Sequence, residues 1–422
     1  MKLLIKNAVI LDKNSEWNNK KSDILIENDL IKEIKENIDS QNCEILDLQG
    51  AYVSPGWFDI GTRLTDPGFE SYDDMGSMSN SALKGGFTGL AVFPNTEPVN
   101  DNKSIVLGII NKSIHLPVDF FPIASISKSC KGTELSEMID LHTNGAIAFS
   151  DGKIPLLHSG LMSRALQYVT SIGVPVINHP EDAQLSENGV VNEGKMSAYL
   201  GMKGRPALAE SMMLYRDISL CEYNNSHLIS HMISCADSVK QVNDAKKRKI
   251  NVHATVSYHN LVAIEDNYKE FDSMHKVLPP LRTKEDNNAL IKGLKDGTID
   301  AIVSNHYPLD VEDKKKAFFD TKYGALGLET LFGILNNVAG EKIGLNTIIE
   351  AISNKPRAIL GLPLTTIGNN SFANLTFFTD KGLSEIKNTD IKSKSSNTPF
   401  IGAKTKGKVI GTYCKGKLNI VD

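Results

Sequence analysis

Asp151, His179 and His231 carry the side chains of a divalent-metal site, one carboxylate and two imidazoles. One cation can accept all three and still keep a position open for water. Each residue closes a short apolar run: Gly145–Asp151, Val174–His179 and His227–His231. A polar strand end is equally a place where a side chain simply hydrogen-bonds to its surroundings, and on residue type alone the two readings balance. Arg63, Asn95 and Asn305 stand toward the ends of three other runs. Whether these groups meet depends on the elements that carry them.

The runs belong to a repeated grammar, a short β-branched apolar stretch followed by a longer helical one. It occurs eight times: Trp57–Arg63, Gly89–Asn95, Val118–Ser127, Gly145–Asp151, Val174–His179, His227–His231, Ile250–Thr255 and Ile299–His306. Strands that read as continuous apolar runs are buried on both faces, and alternation with helices implies parallel crossovers. Eight such units predict an α/β (β/α)₈ barrel of the TIM type, whose site sits at the C-terminal ends of the strands. Short strand patterns at the two chain ends, Leu3–Leu11, Asp23–Glu27 and Leu30–Ile34 with Leu375–Thr379, Lys408–Tyr413 and Lys417–Val421, predict a small β domain made from both termini. The domain boundaries expected are 1–54 plus 366–422 for the β domain and 55–365 for the barrel. Lys387–Asn397 and the charged run Glu312–Lys316 read as solvated loops.

Composition narrows the function classes. The chain has 422 residues, 41% apolar and 23% charged, and a net charge of −4 with both signs scattered. That is an ordinary globular composition with no basic face for nucleic acid. Five cysteines without a C-x-x-C pair read as reduced thiols. No run approaches the roughly eighteen apolar residues of a membrane span, and the N-terminus lacks a cleavage site, so a cytoplasmic protein is expected.

Several motifs together resemble the dihydroorotases of the amidohydrolase superfamily. Pro55-Gly-Trp-Phe-Asp-Ile-Gly-Thr-Arg-Leu-Thr-Asp-Pro-Gly68 resembles the opening motif P-G-[FL]-[IV]-D-x-H-x-H-x-R-x-P-G. Gly85-Gly-Phe-Thr88, Phe93-Pro-Asn-Thr-Glu-Pro98, His179-Pro-Glu-Asp182, Pro279-Pro-Leu-Arg282, Asp300-Ala-Ile-Val-Ser-Asn-His-Tyr-Pro308 and Gly327-Leu-Glu-Thr330 are similar to later motifs, in the same order along nearly the whole chain. The resemblance implies interconversion of carbamoyl-aspartate and dihydroorotate in pyrimidine biosynthesis, with one or two zinc ions and a last-strand aspartate as ligand and general base. Metal-bound water with a pKa near about 7 would be the nucleophile.

The departures fall on the positions that do this chemistry. Gly61 and Arg63 stand at the two histidines of H-x-H, and Thr65 stands at the arginine that grips the substrate carboxylate. Asn305 replaces the aspartate and cannot act as general base. Leu278 and Leu309 replace a substrate-contacting asparagine and histidine, whereas Asn95 and His306 are retained. No catalytic residue is assigned, and Asp151, His179 and His231 are the metal ligands left to consider.

This pattern predicts a degenerate member, with no zinc or one, kept for a structural or regulatory task with aspartate carbamoyltransferase, as a homodimer by family habit. The alternative is a working cyclic amidohydrolase with a rebuilt one-metal site acting on a small cyclic amide; a small-molecule sensor is a third option. A further expectation is that Arg63 fills the vacated metal position and pairs with Asp151, since a carboxylate left in a buried metal pocket needs a counter-charge. His253 and His259, flanking the seventh run, are the remaining imidazoles near the mouth.

Overall fold

The structure is a computed structural model that describes residues 2–39, 42–268 and 271–421. Eight strands follow one another in a single sheet: β1 (Trp57–Thr62), β2 (Phe87–Val92), β3 (Asp119–Ala124), β4 (Ala148–Phe149), β5 (Val176–Asn178), β6 (Leu228–Ser230), β7 (Val252–Ser257) and β8 (Ala301–Val303). All neighbours in this order pair in parallel. Each strand falls on one of the eight apolar runs, and the expected barrel is the fold observed.

The runs are apolar throughout because both faces are buried. Phe58, Ile60, Ala91, Ile123, Ile177 and Val303 pack with one another inside the barrel. Alternate residues such as Trp57, Leu90, Phe149 and Ile302 pack outward with Met78, Leu166 and Leu214 of the surrounding helices.

Side chains tie the seam between β1 and β8. The wholly buried Asp59 accepts hydrogen bonds from the Ser304 amide at 2.7 Å, the Ser304 hydroxyl at 2.6 Å and the Thr62 hydroxyl at 2.5 Å. The Arg63 amide adds a bond to the His306 carbonyl at 3.2 Å. Burial pushes the Asp59 carboxyl up, and these donors pull against that shift.

Both chain ends contribute to a second sheet. Its order is Lys417–Ile420, Lys404–Cys414, Leu375–Glu385, Tyr52–Pro55, Lys2–Ile10, Lys21–Glu27 and Leu30–Lys35, with Glu44–Asp47 beside Lys2–Ile10. Leu3, Ile24, Val53, Phe377 and Tyr413 form its core. None of the five cysteines forms a disulfide. Among the described residues no helix is long and apolar enough to cross a membrane.

Two stretches read as solvated loops are partly buried instead. Within Glu312–Lys316, Asp313 and Lys314 are buried, and the Lys314 ammonium donates to the Ser273 carbonyl at 2.7 Å. Lys276 is buried as well, its ammonium donating to the carbonyls of Phe318, Phe319 and Thr321 at 2.8, 2.7 and 2.6 Å. Within Lys387–Asn397, Ser393, Ser395 and Asn397 are buried; Ser393 donates to Asp73, Ser395 to the Tyr72 carbonyl and Asn397 to the Tyr307 carbonyl. Polar residues make these segments look like surface, but their partners are carbonyls and carboxylates of the loops beyond β1, β7 and β8. They pack against the loops at the C-terminal ends of those strands.

Asp59→Ala is expected to lower the unfolding free energy by about 2–4 kcal/mol, because it strands three buried donors at the seam. Urea unfolding of the variant beside the parent chain measures this; an unchanged midpoint would show that the seam does not depend on Asp59.

Candidate functional site

The C-terminal ends of the strands gather the predicted residues but do not join them as a metal set. Asp151 accepts the amides of Ile126 at 2.9 Å and Ser127 at 3.0 Å on one oxygen, and the Ser127 hydroxyl on the other. Its carboxylate is thus committed to the segment beyond β3, and burial pushes its pKa up. Asn95 joins the same arrangement, its side-chain amide donating to the Asp151 carbonyl at 3.1 Å.

His179 and His231 do come together. The His179 Nδ1 lies 3.2 Å from the His231 carbonyl, and because a carbonyl only accepts, that nitrogen carries the proton. The Nδ1 of His231 meets the Thr255 hydroxyl at 3.1 Å, and its buried Nε2 has no hydrogen-bond partner among the described residues. Its ring stands edge-on to Phe93, with centroids 5.0 Å apart.

Gly61 explains where that ring goes. The residue has φ +82°, and a Cβ added there would come within 2.7 Å of both Cε1 and Nε2 of His231. The imidazole therefore occupies the space in front of residue 61, which only glycine leaves open. Among the described residues no group of three or more His, Cys, Asp or Glu is arranged to hold a metal ion.

Arg63 is not where its charge was expected. Its guanidinium lies 4.2 Å from the Tyr307 ring centre, 5.3 Å from Phe69 and 5.4 Å from Tyr72, and donates to the Pro308 carbonyl at 3.1 Å. Aromatic faces and a carbonyl satisfy it, and no Asp151 pair forms. The other substituted positions are accounted for locally. Thr65 is fully buried and donates to the Asp73 carbonyl at 2.6 Å. The Leu309 amide is held by Asn397 at 3.2 Å, and the Leu278 carbonyl accepts from Asn305 at 3.2 Å. His306 accepts the amides of Gly327 and Leu328 on Nδ1, which leaves Nε2–H pointing to Asp73 at 3.8 Å.

The residue that the motifs did not single out is Lys153. Its ammonium donates to Asn305 Oδ1 at 2.6 Å and stands 4.5 Å from the Tyr307 ring centre. Burial, with Arg63 and Lys314 nearby, brings its pKa down to about 7. Its charge in turn helps to hold His179, His231 and His259 below the ordinary histidine range, burial being the larger cause in each. The signal lay two residues beyond Asp151, but a search for carboxylates and imidazoles passes over a lysine.

Two buried ion pairs brace the loops beyond β5 and β6. Glu181 takes a two-pronged contact from Arg205 at 2.8 and 2.6 Å. Glu210 accepts the amides of Ser234 and Cys235, with Arg282 3.6 Å away. His253 sits apart from all of this, paired with Asp300 at 3.3 Å.

Residues 50–238 match the family described as Dihydro-orotase-like. Proteins named dihydroorotase are similar over nearly the full length. That of Ruminiclostridium cellulolyticum is 38% identical over 405 residues, covering 95% of this chain and 94% of its own. That of Syntrophus aciditrophicus is 37% identical over 422 residues, covering 99% of each. Among solved structures, the L-hydantoinase (dihydropyrimidinase) of Arthrobacter aurescens superposes with a TM-score of 0.88 at 23% identity, over 99% of this chain and 95% of its own. The dihydropyrimidinase of Brevibacillus agri gives 0.84 at 22%, over 99% and 95%. At those identities the structures speak for the fold alone.

His259 offers a clean pH test. It is buried between Tyr258 and Phe400 and favours its neutral form. An unfolded chain takes up a proton there below about pH 6.5 while the folded one does not, so stability is lost as pH falls. Between pH 7.5 and 5.5 the parent should lose about 1.4 kcal/mol more than His259→Phe, which keeps the ring and not the titration. Parallel stability curves for the two proteins would contradict this.

Proposed function

The chain belongs to the dihydroorotase family, and from that premise we propose that it is a pyrimidine-biosynthesis protein that does not run zinc-dependent ring closure. Its task is structural or regulatory, alongside aspartate carbamoyltransferase and as a homodimer. The observation that carries this reading is the His231 ring lying against Gly61. The family implies zinc, and the residues present do not fit it. The first two ligand positions are Gly61 and Arg63, the last is Asn305, and the Asp151 oxygens are taken by Ile126 and Ser127.

Substrate groups fare no better. Thr65, buried under Asp73, cannot grip a carboxylate, and Asn305 offers an amide where a base would have to accept a proton. A role through protein contacts is supported by the helix Ala207–Tyr223, which turns Leu208, Met212, Tyr215 and Tyr223 to solvent in one stripe. Apolar stripes of this kind are commonly covered by another protein surface.

Two measurements test the proposal. Purified protein dialysed against zinc should cyclise carbamoyl-aspartate no faster than buffer; turnover with stoichiometric zinc would instead establish a one-metal enzyme. Mixed at micromolar concentration with the same organism's aspartate carbamoyltransferase, the chain should co-elute with it in gel filtration, and two separate peaks would count against the partnership.

A further inference from the structure

We propose that Lys153, protonated where it donates to Asn305 Oδ1 and faces the Tyr307 ring, supplies from within the chain the positive charge that a metal would bring to this barrel mouth, so that the site is built around an ammonium group and rejects a divalent cation. The inference rests on the zinc-free reading above and names the group that replaces the metal.

Position is the first argument. Asn305 stands just beyond β8, at the last-strand position, and its Oδ1 is the acceptor for Lys153 at 2.6 Å. His179 and His231, the two imidazoles brought together at the ends of β5 and β6, feel the same ammonium. Lys153 thus contacts the β8 position directly, and its charge acts on the histidines at the ends of β5 and β6.

The second argument is the match between Lys153 and Asn305. The asparagine amide faces two acceptors, the Ser257 hydroxyl and the Leu278 carbonyl, each at 3.2 Å, and donates to them through Nδ2. Its oxygen is left to receive the ammonium. An aspartate at 305 has no hydrogen for the Leu278 carbonyl and would set two oxygens against each other. The side chain that a metal would want here is the one that the Leu278 carbonyl disfavours.

Charge is the third. Three carboxylates near the mouth are engaged elsewhere: Asp59 with Ser304 and Thr62, Asp151 with Ile126 and Ser127, Glu181 with Arg205. Lys153 thus meets an amide oxygen and an aromatic face, with the cations Arg63 and Lys314 close by. An entering dication would meet positive charge in a low-dielectric enclosure.

The test measures bound zinc on the full-length protein after dialysis against excess zinc and gel filtration, for the parent and Lys153→Glu. The parent should hold next to none. The variant, which replaces the cation at the barrel mouth with a carboxylate, should hold about tenfold more. Should Lys153→Glu fail to fold, a melting cycle of Lys153→Met, Asn305→Leu and the double variant in chelator serves alone. The two single shifts should together exceed the double by roughly 5 °C or more, as expected for partners in one buried contact. Additive shifts, or a folded Lys153→Glu that takes up no more zinc than the parent, would overturn the proposal while leaving the zinc-free function standing. Stoichiometric zinc on the parent would overturn both.

Discussion

An ammonium enclosed in the mouth of a barrel, leaning on one amide oxygen, is the constraint from which the upper half of this molecule follows. Among the described residues no carboxylate pairs with Lys153, so its neighbours must tolerate a cation. Burial, with a smaller push from this charge, holds His179 and His231 below the ordinary histidine range, and Tyr307 turns its ring face toward the charge. The same Tyr307 ring, with Phe69 and Tyr72, takes Arg63. Two further lysines are satisfied by carbonyl oxygens, Lys276 by those near Phe318 and Lys314 by that of Ser273. Carbonyl dipoles and π-faces do at this rim what carboxylates do at most protein surfaces. Segments rich in Lys and Ser fold down over the mouth because that is where their hydrogen-bonding partners lie.

The barrel beneath is indifferent to this change. Its inner layer is Phe, Ile, Ala and Val, and its seam is closed by Asp59 on Ser304 and Thr62. The Glu181–Arg205 and Glu210–Arg282 pairs fix the loops beyond β5 and β6 without touching the chemistry. Fold and site are separable in such architectures, since the scaffold needs only burial and strand pairing while catalysis needs particular groups at loop positions. On the proposed reading the present chain keeps the first and has rebuilt the second.

The strands were readable because a barrel strand must be apolar on both faces, and Trp57–Arg63 or Ile299–His306 have few other ways to be buried. The paired chain ends followed from short alternating runs for the same reason. At the mouth the reading was partial. The substituted positions were visible as residue types, and Gly61 pointed to the right gap. What fills that gap depends on χ angles and on which loop descends, and neither has a periodic signature. Arg63 looked like the replacement charge because it lies at the lost ligand position; its long side chain instead turns to the aromatic residues of the β1 loop and to Tyr307. The cation that contacts Asn305 came from the β4 loop, carried by a residue outside the carboxylate and imidazole set read as ligands. Ser393 and Asn397 were misread because a polar composition looks solvated until the carbonyls it serves are known.

The most direct test of the ammonium-for-metal account is a crystal structure from zinc-soaked protein, with anomalous data collected at the zinc edge. The account predicts no anomalous peak among Asp151, His179 and His231, and continuous density placing the Lys153 ammonium on Asn305. A strong peak at that place, with Lys153 swung aside or joined to the metal, would contradict it.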